Sequence, residues 1–221
     1  MFLIKLISFS VYNTKILYYT MCLLQDIGIV TGKSKSTKVA VIFESLEGDF
    51  RNLEYNTPSE YIKKYWDSYT TKIKNKNNSQ NGKIFEYILA TLLYRENIIP
   101  FYMGAKVSFV ADINFDIMMY SKEVGPLCIS AKTTLRERYK QSDFESLMLK
   151  DVHKGSKSYL ITLDESFEKY KSKLEKGHIR TLNGIIHAQS TEFDTFIEKL
   201  KKYTITASPS VKIIDSKLFI K

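Results

Sequence analysis

Phe115-Asp116-Ile117-Met118-Met119-Tyr120, then Leu127-Cys128-Ile129-Ser130-Ala131-Lys132, then Thr133-Thr134-Leu135-Arg136-Glu137-Arg138-Tyr139-Lys140-Gln141: this stretch holds two strand candidates and the opening of a helix. The two apolar runs are separated by a turn at Lys122–Pro126 containing Gly125. Thr134-Leu135-Arg136-Glu137 reads as a capping box that starts a helix reaching about Val152. Upstream, Ile84, Phe85, Ile88, Leu89, Leu92 and Leu93 recur with a helical period from Gly82 to about Asn97, and Pro100 ends that helix. A strand candidate, Phe101–Val110, follows it, and Asn114–Tyr120 and Leu127–Lys132 complete a set of three. Ser158–Leu163 is a further buried strand, so the central order is α-β-β-β-α-β.

Three residues in that order carry chemistry. Glu86 lies in an otherwise apolar helix, and Asp116 lies inside an apolar strand, where a carboxylate is costly without a metal or a donor to satisfy it. Lys132 ends its strand directly before the next helix. Two carboxylates and a lysine converging at strand ends suit a divalent cation and a scissile phosphate, with the lysine offsetting developing negative charge. Taken singly, each has an ordinary reading, as a solvent-facing Asp or a strand-end Lys.

Together they resemble the PD-(D/E)XK nucleases, whose αβββαβ core carries an Asp on the second strand and an acidic residue, any residue and Lys on the third. Here Asp116 and Lys132 match, and the acidic position is Ser130. The run Lys132–Gln141 is similar to the KTT-x-x-[DE]-R-[WY]-x-Q segment of type II restriction endonucleases. In that branch the missing acid stands on the following helix, thirteen positions after the lysine, where this chain has Glu145. The resemblance covers roughly residues 80 to 165. It implies a restriction-endonuclease-like α/β fold with a mixed central sheet flanked by helices. It also implies Mg²⁺, which Mn²⁺ may replace, held by Asp116, Glu145 and Glu86. Lys132 is then catalytic, with Arg138, Arg136, Gln141 and Ser130 as phosphate contacts or supports. Glu137 is the rival acid, with a capping role as its alternative. Arg138 and Glu145 are seven apart and share a helix face, while Phe144, Leu147, Met148 and Val152 are expected to pack on the sheet. Double-stranded DNA is the implied substrate, a homodimer the implied assembly, and a cognate DNA methyltransferase the implied partner.

The remainder of the chain frames this core. Residues 1–80 read as an N-terminal region for recognition or dimerisation, 81–165 as the catalytic core, and 166–221 as an extension packed on it. Residues 25–37 read as a loop and Val39–Phe43 as a short buried strand. Thr57–Glu60 opens a capped helix whose Tyr61, Tyr65, Trp66 and Tyr69 form a core stripe, and Lys72–Gln80 is a polar linker. Beyond the core come a charged helix near 164–176, a strand at Gly184–Ala188, a helix at Thr191–Tyr203 and a strand near Val211–Ile214.

With 221 residues, 44% of them hydrophobic, the chain can build a sizeable core, which excludes wholesale disorder. A formal charge of +9 suits a polyanionic partner, although lysine-rich composition alone can produce it. Cys22 and Cys128 form no metal spacing and no disulfide framework, which fits reduced thiols in the cytoplasm. The charge-free stretch from Leu6 to Thr14 is too short for a membrane span. The first 24 residues read as a strand or helix packed on the domain, or as sequence ahead of a natural start at Met21. His153, His178 and His187 are scattered and read as structural. Three other readings remain open: a repair, junction or structure-specific nuclease of the same fold, a catalytically inactive DNA-binding protein, and a general basic nucleic-acid-binding module.

Overall fold

The computed structural model describes residues 22–31, 35–110, 112–209, 214–215 and 218–220. The expectations for residues 1–21 and for strand residues 211–213 lie outside the described residues. The loop expected over 25–37 is shortened at both ends, by α1 (Leu23–Asp26) and α2 (Lys35–Glu47). Val39–Phe43 is therefore helix, not strand. Ala40, Phe43 and Leu46 are buried at three-residue spacing while Val41 is exposed, which is the signature of one helical face. Five apolar residues in a row fit either state until the flanking residues extend the helix.

In α3 (Pro58–Lys72), Thr57 Oγ1 accepts from Glu60 N at 3.2 Å, as the capping box requires. The Glu60 carboxylate reaches one residue further than expected and accepts from Asn56 N at 2.7 Å. Tyr61, Tyr65 and Tyr69 are fully buried, and Tyr65 stacks on Phe43 with ring centroids 4.7 Å apart, so the stripe is core. The linker ends sooner than expected because Asn77 Oδ1 accepts from Gln80 N at 2.9 Å and starts α4 (Asn78–Arg95). Gly82 lies inside this helix with open space where a Cβ would stand. Packing does not demand glycine there, and a helix interior disfavours it. Gly82→Ala is expected to stabilise the chain by about 0.5–1 kcal/mol, read from the denaturant midpoint.

Three antiparallel strands follow, β1 (Phe101–Val107), β2 (Phe115–Ser121) and β3 (Gly125–Lys132). Pro126 is the second residue of β3, so the turn is shorter than expected. The chain then crosses through α5 (Arg138–Val152) to β4 (Lys157–Thr162), which lies parallel to β3 with Ser130 beside Leu160 and Lys132 beside Thr162. After α6 (Phe167–Glu175), β5 (Gly184–His187) adds in parallel to β4. Then come α7 (Thr191–Lys201), β6 (Ile205–Thr206), β7 (Ile214–Asp215) and β8 (Leu218–Ile220). The sheet order is β5-β4-β3-β2-β1-β7, with β6 on β2 and β8 on β1. One cluster packs Ile88 and Leu92 of α4 with Ile117 and Ile129 of the sheet; another gathers Met118, Cys128 and Leu149 of α5. Helices thus cover a mixed sheet from both faces.

Helix α5 departs from its expected form in two ways. It begins at Arg138 rather than after Thr134, and Glu137 occupies the cap position without a side-chain cap bond. Asp164 instead accepts from Leu135 N at 2.6 Å, and Leu135 is fully buried, so residues 133–137 form a pinned loop. The helix is also turned about its axis. Ser142, Glu145, Ser146 and Leu149 are its buried residues, whereas Phe144 is 57% exposed and Leu147 and Val152 are exposed with it. Met148 alone of the expected apolar set is partly buried against the sheet. Thr181 is one of the residues that hold this orientation. Thr181 accepts at its carbonyl from Ser146 Oγ and Lys150 Nζ, and donates from its amide to Asp143 Oδ1 at 2.8 Å.

Among the described residues no helix is long and apolar enough to cross a membrane.

Candidate active site

β2 and β3 run antiparallel with Ile117 opposite Ile129, and one more step of that register carries Asp116 beside Ser130. Lys132, two residues beyond Ser130, points from the same face of the strand. Its ammonium lies 2.7 Å from Asp116 Oδ2, and Ala131 N donates to that oxygen at 2.9 Å. Both groups are well covered, with side chains 11% exposed for Lys132 and 19% for Asp116. Burial works against the Lys132 charge, but the charge and hydrogen bond of Asp116, with Glu145 and Glu86 behind, hold its pKa above the usual lysine value.

Helix α5 delivers Glu145 to the position where the third strand lacks an acid. Ser130 Oγ donates to Glu145 Oε2 at 3.4 Å, and Gln141 Nε2, one turn back, donates to Oε1 at 2.7 Å. Burial pushes the Glu145 carboxyl up, partly offset by Lys132 and the Gln141 bond. Glu86 enters from α4, with Lys83 Nζ 2.8 Å from its Oε2. Burial raises its pKa too; Lys83 and Lys132 pull it down, and Asp116 pushes it up. A cavity of about 620 Å³ opens onto Lys83, Glu86, Asp116, Lys132, Arg138 and Gln141. Ser130 and Glu145 stand behind this wall.

Of the other expected contacts, Arg136 is exposed, and Arg138 is exposed with its guanidinium 3.5 Å from Gln141 Oε1. Glu137 is exposed and pairs with Lys140, so its capping role does not hold and it stays outside the cluster. Both cysteines are free and buried, and burial drives the Cys128 thiol far up, which leaves it no nucleophile. His187 lies against the Phe167 ring, and burial lowers the pKa of His153. Lys83 and Asp164 were not singled out in the sequence. Lys83 was findable as the i,i+3 partner of Glu86 on a helix, whereas nothing local marks Asp164, which acts across the fold on Leu135.

Among the described residues no three His, Cys, Asp or Glu side chains are grouped so as to hold a metal ion. Mg²⁺ seldom uses such a group; it takes one or two carboxylates and completes its shell with water and substrate phosphate. Asp116 and Glu86, half-buried on the cavity wall, are hard-oxygen donors suited to such an ion, with Glu145 behind them.

The α4-β1-β2-β3-α5-β4 order, with three antiparallel strands and a fourth parallel to the third, is the αβββαβ arrangement expected from the sequence, an α/β fold with a mixed sheet flanked by helices. No protein-family model matches the chain, and no curated protein matches it. Among solved structures it is similar to a restriction endonuclease PspGI–substrate DNA complex, with 17% identity, a TM-score of 0.49 and 78% of each chain covered.

Proposed function

We propose that this chain is a Mg²⁺-dependent type II restriction endonuclease that hydrolyses phosphodiester bonds of double-stranded DNA at a short specific sequence. The observation that carries the reading is the Ser130–Glu145 contact, which brings a helix carboxylate to the strand position where the nuclease pattern needs one, one row from Asp116 and Lys132. Asp116 and Glu145, with Glu86 adjusting the site, would hold Mg²⁺ or Mn²⁺. When bound, such an ion polarises the phosphoryl group and lowers the pKa of a water.

The protein's own groups do the rest. Lys132 stays protonated through its bond to Asp116 and offers its charge to the scissile phosphate as negative charge builds. Gln141 fixes the rotamer of Glu145, and Ser130 holds its second oxygen. Arg136 and Arg138 meet backbone phosphates at the rim. The protein acts in the cytoplasm as a homodimer, its host DNA protected by a cognate methyltransferase.

A plasmid digest tests this. Purified protein with Mg²⁺ is expected to yield discrete fragments ending at one sequence, and EDTA to abolish them. Nicking or branch cutting without discrete fragments would point to a structure-specific nuclease of the same fold. DNA binding with no cleavage in either metal would leave a DNA-binding protein that lost its chemistry.

A further inference from the structure

The cavity has a wall on α4 of which the hydrolytic site uses only Glu86. The first two turns of α4 contribute Asn78, Ser79, Gly82 and Lys83 to its lining. The volume of about 620 Å³ lies in the range of pockets that hold drug-sized ligands, more than one phosphate group fills. Lys83 is the only cation of that wall. Its ammonium is held between the Glu86 carboxylate and the ring of Tyr87, 5.4 Å from the centroid, while a third of the side chain stays exposed.

Gly82 is the independent sign that something enters there. A Cβ at this position meets nothing within 4 Å, and the backbone is not in the left-handed region, so neither packing nor conformation calls for glycine. A glycine in a helix interior that the folded chain does not need, on the wall of a cavity, keeps that cavity open at a cost in stability.

We propose that the α4 wall is a second phosphate subsite, in which Lys83 takes a non-scissile backbone phosphate of the DNA strand whose scissile phosphate meets Lys132. The subsite rests on the reading of the chain as a DNA hydrolase. Two lysines of the same cavity, one on α4 and one on β3, then hold the strand. The small polar side chains of Asn78 and Ser79, with the bare Gly82 backbone, leave room for the sugar-phosphate chain between them.

The test is the salt dependence of binding to a short fluorescent DNA duplex in EDTA, which needs no catalysis. Each neutralised phosphate contributes about 0.9 to the slope of log affinity against log salt. Lys83→Gln is expected to make the slope shallower by about that amount, with Lys83→Arg keeping it. Gly82→Leu, whose Cβ would meet nothing within 4 Å, is expected to weaken binding by filling the subsite. An unchanged slope in folded Lys83→Gln protein overturns the subsite. If that variant does not fold, full affinity in Gly82→Leu overturns it instead. Wild-type protein without salt-sensitive DNA affinity sinks the hydrolase reading itself, and the subsite with it.

Discussion

Lys132→Ala is expected to lower the rate of DNA cleavage by at least about 10²–10³-fold, the usual cost of removing one group aimed at developing charge. The loss should appear in single-turnover rates, with DNA affinity in EDTA much less affected. The Lys132 ammonium is bonded at 2.7 Å to Asp116 at the cavity wall, where alanine leaves no charge to meet the phosphate. Unchanged cleavage by the alanine variant would remove Lys132 from the chemistry. Arginine is not a substitute, because a buried site shaped around a point charge does not accept a planar fork.

Glu145 gives the second large effect, and it separates two roles of one group. Glu145→Gln keeps the shape and a hydrogen-bonding partner for Gln141 but removes a cation ligand. Cleavage is expected to fall by about two orders of magnitude or more, with a higher Mg²⁺ concentration needed for what remains. Stability in EDTA should move the other way. Burial raises this carboxyl, so the folded chain disfavours its ionised form more than the unfolded chain does. That penalty is fully present above the folded pKa, fades as pH falls from there toward the unfolded value of about 4.3, and is gone below it. The glutamine variant should therefore melt higher than wild type at neutral pH, and the gain should vanish in acid. A gain that persisted below the carboxylate range would mean that burial of the charge is not its source.

The sequence disclosed the element order well, because strong periodicity marks α4 and short apolar runs bounded by turn residues mark β2, β3 and β4. Thr57 and Glu60 announced α3 because a capping box is a purely local device. Both failures at α5 were cases where a distant partner decides. Thr134 and Glu137 also spell a capping box, but Asp164 captures Leu135 from the far end of β4 and delays the helix. Phe144, Leu147 and Val152 mark the apolar side of α5, which apolarity alone assigns to the sheet. The polar side wins because Ser146, Asp143 and Lys150 find Thr181, and Glu145 finds Ser130. Val39–Phe43 failed for a simpler reason, since a five-residue apolar run has no period of its own. In the site, Glu86, Asp116 and Lys132 were legible from residue type and order, whereas Lys83 was hidden among twenty-eight lysines.

The Thr181 clamp makes the position of Glu145 a property of a loop some thirty-six residues downstream. A strand residue is aimed by the ladder on either side of it; a helix residue is aimed only by how its helix is seated. A slip of one residue along α5 swings a side chain through about 100°. The mutational map of this protein should therefore be lopsided. Changes near 177–183, in a loop that does not line the cavity, should silence the chain as readily as changes on its walls.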